Sequence, residues 1–152
     1  MKGAERSDDI TMLCTKQNPD ERRGEINVTP NKASIEAVAD FLSEILEKWE
    51  IPLKLAGKAQ IAVDEIYSNI VYYSGASSAA VAVAESCDGL TILFEDNGKP
   101  YDPTTAKEPD ITLSAEEREI GGLGIFMVKK MAAEIHYENR DGKNLLTVRF
   151  GK

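Results

Sequence analysis

GGLGIFMVKK, residues 121–130, sets three glycines in four positions against an apolar helical run. Glycine ahead of a helix lets the backbone come close to a ligand. The first N–H groups of the helix have no partner within it, so they can face an anion. The junction is a candidate phosphate cradle, although a glycine cluster alone serves equally as a flexible loop entry. Two familiar phosphate motifs are excluded. A P-loop needs Ser or Thr directly after Gly-Lys. Gly57-Lys58, Gly98-Lys99, Gly142-Lys143 and Gly151-Lys152 all lack it. A dinucleotide fingerprint needs a strand directly before the glycines and a small third residue. Here a polar loop precedes, and the third position is Met127. Any nucleotide site at this junction is of another kind.

The surrounding pattern is that of one domain. The 152 residues, 42% of them apolar, are enough for a single core. Residues 1–23 are polar and without period, and read as a tail or linker with one short strand around ITMLC; the domain proper spans 24–152. EINVT alternates as a strand. Ile35, Val38, Phe41, Leu42, Ile45, Leu46 and Trp49 then recur at helical steps, predicting a helix over 32–49 with Asn31 as its N-cap. A second helix is predicted over 54–73, with Ala59, Ala62, Val63, Ile66, Ile70 and Tyr73 as its buried stripe. AAVAVAE and LTILFED read as strands around the turn SCDG. Residues 98–120 carry almost no apolar period, and such a long connection in a small domain is functional or mobile. A helix to about residue 133 follows, then strands EIHYENR and NLLTVRF around DGKN. The order predicts an α+β fold: a two-layer sandwich in which a mixed, mainly antiparallel sheet carries helices on one face.

Charge and cysteine usage narrow the function classes. With 26 acidic against 18 basic residues the net charge is −8. Without a basic patch, such a chain does not approach nucleic acid or anionic lipid, so protein or small-molecule partners are expected. No apolar run reaches the roughly 18 residues of a membrane span, and the first residues carry no apolar signal segment. Cys14 and Cys87 are not spaced as a metal pair, and so few cysteines point to a reducing cytoplasm.

Two further segments carry candidate chemistry. In DEIYSN, residues 64–69, Glu65 and Asn69 stand four apart and share a helix face offset from the apolar stripe. An ordinary solvated face would look the same. An amide oxygen there can also help hold Mg²⁺ beside nucleotide phosphates, and a carboxylate one turn away can act as a general base. In EDNGKPYDP, residues 95–103, Asp96 ends an apolar strand, and Gly98 and two prolines turn the chain. An ionised carboxylate is an acceptor only, so Asp96 can receive the amino hydrogens of adenine, with Gly98 leaving room for the ring.

These segments, in this order, resemble the ATP-binding domain shared by DNA gyrase and the sensor histidine kinases, and most of all the bacterial anti-sigma-factor serine kinases. DEIYSN is similar to the first motif of that family, DNGKPYDP to its Asp-x-Gly motif, GGLGIFMVKKM to the end of its lid, and YENRDGKNLLTVRF to its closing hairpin. The likeness covers residues 24–150. It implies a histidine-kinase-like ATPase fold with ATP and Mg²⁺ as cofactors. Asn69 would be the Mg²⁺ ligand and Glu65 the acid that activates the attacking hydroxyl. Asp96 would hold the adenine amine with Gly98 beside the base. Gly122, Leu123 and Gly124 would offer N–H groups to the phosphates, and Thr147 would support adenine through water. It also implies an anti-sigma factor that phosphorylates a serine on a small antagonist protein of the anti-anti-sigma type, sequesters a sigma factor and forms a homodimer. Two alternatives stand beside it: a catalytically silent nucleotide-binding module, or a serine kinase in a circuit without a sigma factor. The lid, residues 104–120, carries five acids against two bases, and no basic residue is placed by sequence on the transferring phosphoryl. His136 lies within a strand pattern, with no helical dimerisation domain around it to make it a phospho-acceptor, and reads as structural.

Overall fold

The structure is a computed structural model that describes residues 22–105 and 122–151. Asn31 starts the first helix, α1 (Lys32–Lys48). Its Oδ1 accepts from Ser34 N, and Ser34 Oγ accepts from Asn31 N, each at 2.9 Å. This reciprocal cap satisfies donors that the helix itself leaves open. Val38, Leu42, Leu46 and Trp49 recur every three or four residues and are buried. Ile35, Phe41 and Ile45 pack on the flank of that stripe. The second helix, α2, runs Leu53–Asn69 and buries Leu55, Ala59, Ala62, Val63, Ile66 and Tyr67.

Five strands form one sheet: β1 (Arg22–Val28), β2 (Ala79–Ser86), β3 (Gly89–Asp96), β4 (Glu134–Arg140) and β5 (Lys143–Gly151), in the order β1-β2-β3-β5-β4. Every pairing between them is antiparallel, so the parallel component of the expected mixed sheet is not found among the described residues. β1 starts at Arg22 rather than near Glu25, because Arg22 and Arg23 continue the ladder opposite Glu85 and Ala84. The strand expected around ITMLC lies outside the described residues. The third helix, α3 (Gly122–Met131), packs beside α2.

The strands bury alternate residues. Val81 and Val83, Leu90, Ile92 and Phe94, and Leu146, Val148 and Phe150 lie under the helices. Their neighbours Thr91, Leu93, Leu145, Thr147 and Arg149 are half-buried on the opposite face. Each fully buried Leu, Ile or Phe contributes about 1.5–3 kcal/mol of hydrophobic stabilisation. One stripe of helix against one face of sheet makes the two-layer architecture.

Two turns finish the frame. Asp141 and Gly142 both have positive φ, 54° and 79°, the geometry of a two-residue I′ hairpin. Arg140 and Lys143 therefore face each other, which sets the register of β4 on β5. Cys87, in the β2–β3 turn, is disulfide-bonded. That turn is at the end of β3 remote from Asp96.

Candidate active site

A cavity of about 360 Å³ opens between α2, the end of β3 and the start of β5. That is within the usual range for a small-molecule pocket. Its wall is mostly apolar, including Ile66, Phe94 and Ile125, with Asn69, Asp96 and Asn144 as convergent polar groups.

Asp96 reaches this place because it is the last residue of β3 and sits on the helix-facing side. It is buried, and its Oδ1 accepts from Gly98 N at 2.8 Å and from Asn144 Nδ2 at 3.0 Å. Asn144 is its register partner on β5. That amide also donates to the carbonyls of Gly98 and Lys99, at 3.3 and 2.9 Å, and its Oδ1 accepts from the Tyr137 hydroxyl and from Asn139. One buried Asn thus fastens the carboxylate, the turn behind it and the hairpin together. Such a network rigidifies when all its members are satisfied.

Thr147, which the resemblance implies would support adenine through water, does not line the cavity. Thr147 alternates with the buried Leu146 and Val148, so it lies on the open face of the sheet, where Leu93 and His136 are its cross-strand neighbours. The side chain that meets Asp96 belongs to Asn144. The alternation of Leu146, Val148 and Phe150 was the signal that could have found it, because counting back two residues from Leu146 reaches Asn144.

Gly98, expected to leave room for the adenine ring, also meets the chain that follows α2. A β-carbon there would stand 2.5 Å from the Ser74 carbonyl oxygen and 2.6 Å from Ser74 Cβ. The absent side chain thus admits the backbone after α2, and Lys99 N donates to the same Ser74 oxygen at 2.9 Å. Ser74 ends a π-helical turn, Ile70–Ser74, that continues α2. The wider turn shifts the phase of the helix. Tyr73, expected in the buried stripe, is 52% exposed at the cavity wall, and Tyr67 is buried in the core. Gly98→Ala should destabilise the fold by about 1–3 kcal/mol, since backbone must move to make room; denaturant unfolding measures this, and an unchanged midpoint would refute the contact.

Glu65 and Asn69 share the face of α2 that α3 approaches. A β-carbon on Gly124 would overlap Glu65 Oε2 and stand 2.6 Å from its Cδ. The carboxylate therefore lies over the first turn of α3, whose N–H groups at Gly122, Leu123 and Gly124 have no partners within the helix. Asn69 lines the cavity. Neither side chain has a hydrogen-bond or ion-pair partner among the described residues. The Tyr67 hydroxyl, between them in sequence, bonds Ser34 Oγ at 2.7 Å and pins α2 to the cap of α1. Burial raises the Tyr67 pKa above the ordinary phenol value, with the Ser34 bond opposing. Partial burial raises Asp64, beside Glu65, above the usual carboxylate range.

No group of three His, Cys, Asp or Glu is placed to hold a metal among the described residues. A cation such as Mg²⁺ keeps most of its waters and takes one or two protein oxygens beside nucleotide phosphates. The free amide of Asn69 in the cavity wall offers such an oxygen. His136 is exposed on the open face, 3.9 Å from Glu138 and away from the cavity. No helix among the described residues is long and apolar enough to cross a membrane.

A five-stranded antiparallel sheet under one layer of helices, with a cavity between its strand ends and the central helix, is the histidine-kinase-like ATPase architecture. A model of the histidine kinase-like ATPase domain matches residues 28–150, and the chain belongs to that family. Over 106 residues it is 26% identical to the serine/threonine-protein kinase BtrW of Bordetella bronchiseptica, a match spanning 67% of this chain and 73% of that protein. The fold is similar, with a TM-score of 0.61 and 15% identity, to the RsbU and RsbW domains of Rv1364c from Mycobacterium tuberculosis. That likeness covers 86% of this chain and 32% of the longer one, so it bears on the fold.

Proposed function

We propose that this protein is an ATP-dependent protein serine kinase and anti-sigma factor, which phosphorylates a small antagonist protein and sequesters a sigma factor in the cytoplasm. The observation that supports the kinase reading is the pairing of two chemistries in one cavity wall, with a third beside it where α2 meets the start of α3. A buried acceptor, Asp96, is fixed by Asn144. A free amide, Asn69, lies in the wall. A carboxylate, Glu65, lies over the N-terminal turn of α3. The name of the BtrW relative supports transfer to Ser or Thr, and the likeness to the RsbU and RsbW domains supports the fold. A homodimer is part of the same reading.

In this mechanism Asp96 accepts the adenine amine, and the N–H groups of Gly122, Leu123 and Gly124 receive phosphate oxygens. Asn69 would hold Mg²⁺, which would neutralise charge on the phosphate oxygens. The serine hydroxyl of the antagonist attacks the γ-phosphorus, its proton passes to Glu65, and ADP leaves with the electrons of the broken P–O bond. Positioning and charge stabilisation carry most of such a reaction.

Purified protein should bind ATP and ADP far more tightly than GTP. Guanine presents a carbonyl where adenine presents an amine, and a carboxylate facing it would lack a donor. It should also move labelled γ-phosphate onto a serine of an antagonist protein. Calorimetry and a transfer assay test both. Equal affinity for ATP and GTP would refute the Asp96 assignment, and tight ATP binding without transfer would favour a silent module that switches partners by nucleotide state.

A further inference from the structure

We propose that Lys99 is the cation that holds the nucleotide's phosphates, an inference that rests on the ATP-binding reading of the cavity. Among the described residues lining that cavity, Lys99 is the only Lys or Arg. Its main chain is fixed on both sides: its N–H donates to Ser74 O, and its carbonyl accepts from Asn144, each at 2.9 Å. The stem of the side chain therefore starts from a rigid point on the rim, while the residue itself is exposed.

The ammonium has no hydrogen-bond or ion-pair partner among the described residues. It is not spent on Asp96, the one carboxylate in the wall, whose recorded bonds come from Gly98 N and Asn144. Other nearby lysines are engaged elsewhere. Lys129 donates to Thr104 O at 3.1 Å, Lys130 lies 5.3 Å from the Phe126 ring centre, and Lys143 pairs with Glu95 on the open face at 3.0 Å. An uncompensated cation on a fixed backbone, in the wall that also carries the candidate metal-ligating amide, fits an anionic ligand. A lysine meets phosphate as a mobile point charge, which suits a site at the rim. It supplies the positive charge that the acidic lid sequence lacks.

The test is calorimetric titration of wild type and Lys99→Met with adenosine, ADP and ATP, each at low and physiological salt. Lys99 is exposed, so the variant should fold as wild type does; thermal unfolding checks this. The expected result is a loss for ATP and ADP of roughly tenfold, the low end for a charged hydrogen bond because the stem is exposed, with adenosine unchanged. Wild-type ATP affinity should fall more steeply with salt than that of the variant. Lys99→Arg should restore most of the loss. Unchanged ATP binding in Lys99→Met, or an equal loss for adenosine, would overturn the assignment while leaving the ATP site intact. A wild type that binds no adenine nucleotide would overturn both.

Discussion

Glu65→Gln should slow phosphoryl transfer to the antagonist by roughly 10²–10⁴-fold while leaving ATP affinity near that of wild type. The amide keeps the size of the carboxylate and removes its basicity. A loose transition state needs less help from a base, so the lower end of that range is expected. A control comes from Gly124. The group that a new β-carbon would strike is the end of the flexible Glu65 side chain, so the fold can give way cheaply. Alanine is also the better helix former, by about 1 kcal/mol. Gly124→Ala should therefore keep or gain stability and still lose transfer, by displacing the carboxylate. Single-turnover rates with labelled ATP measure both variants. A Glu65→Gln protein that transfers at the wild-type rate removes Glu65 from the chemistry.

Asp96→Asn should weaken ATP and ADP binding by roughly 10–100-fold whether or not Mg²⁺ is present. The lost contact is a charge-assisted hydrogen bond in a buried site, worth about 1.5–3 kcal/mol. A second cost is local. Asp96 Oδ1 is held by the Asn144 amide, and a new Asn either turns its oxygen to that partner or meets it amide to amide. One orientation leaves an NH₂ facing the adenine amine, donor against donor. Asn69→Ala separates the two effects, since it should weaken ATP binding only when Mg²⁺ is supplied. Equal ATP affinity for wild type and Asp96→Asn in calorimetry would show that the base lies elsewhere.

Much of the frame could be read from local pattern. The cap at Asn31, the stripe of α1 and the strand alternation of β3 each follow from one stretch of chain. Glu65 and Asn69 were legible as a pair because helical spacing alone puts them on one face. What was missed depends on contacts distant in sequence. The π turn after Asn69 has no sequence mark, and an α-helix continued through it puts Tyr73 inside. The reason for Gly98 is the Ser74 backbone, 24 positions earlier in the chain. Asn144 becomes a site residue only through register, since nothing in NLLTVRF singles it out. The lid expected over 104–120 falls largely outside the described residues.

The Asp141–Gly142 hairpin is exposed, and exposed loop tips are where inserted residues and purification tags are usually tolerated. This one is a poor choice. Its two residues fix the partnership of Arg140 with Lys143, and through β5 the position of Asn144 opposite Asp96. Because side chains alternate along a strand, a slip of one residue would carry Asn144 to the open face and bring Leu145 under the helices. A loop edit at the surface would then dismantle the Asp96 end of the cavity while the rest of the sheet stayed paired. Labels and fusions belong elsewhere, and a library of variants in this loop would report on the cavity rather than on the turn.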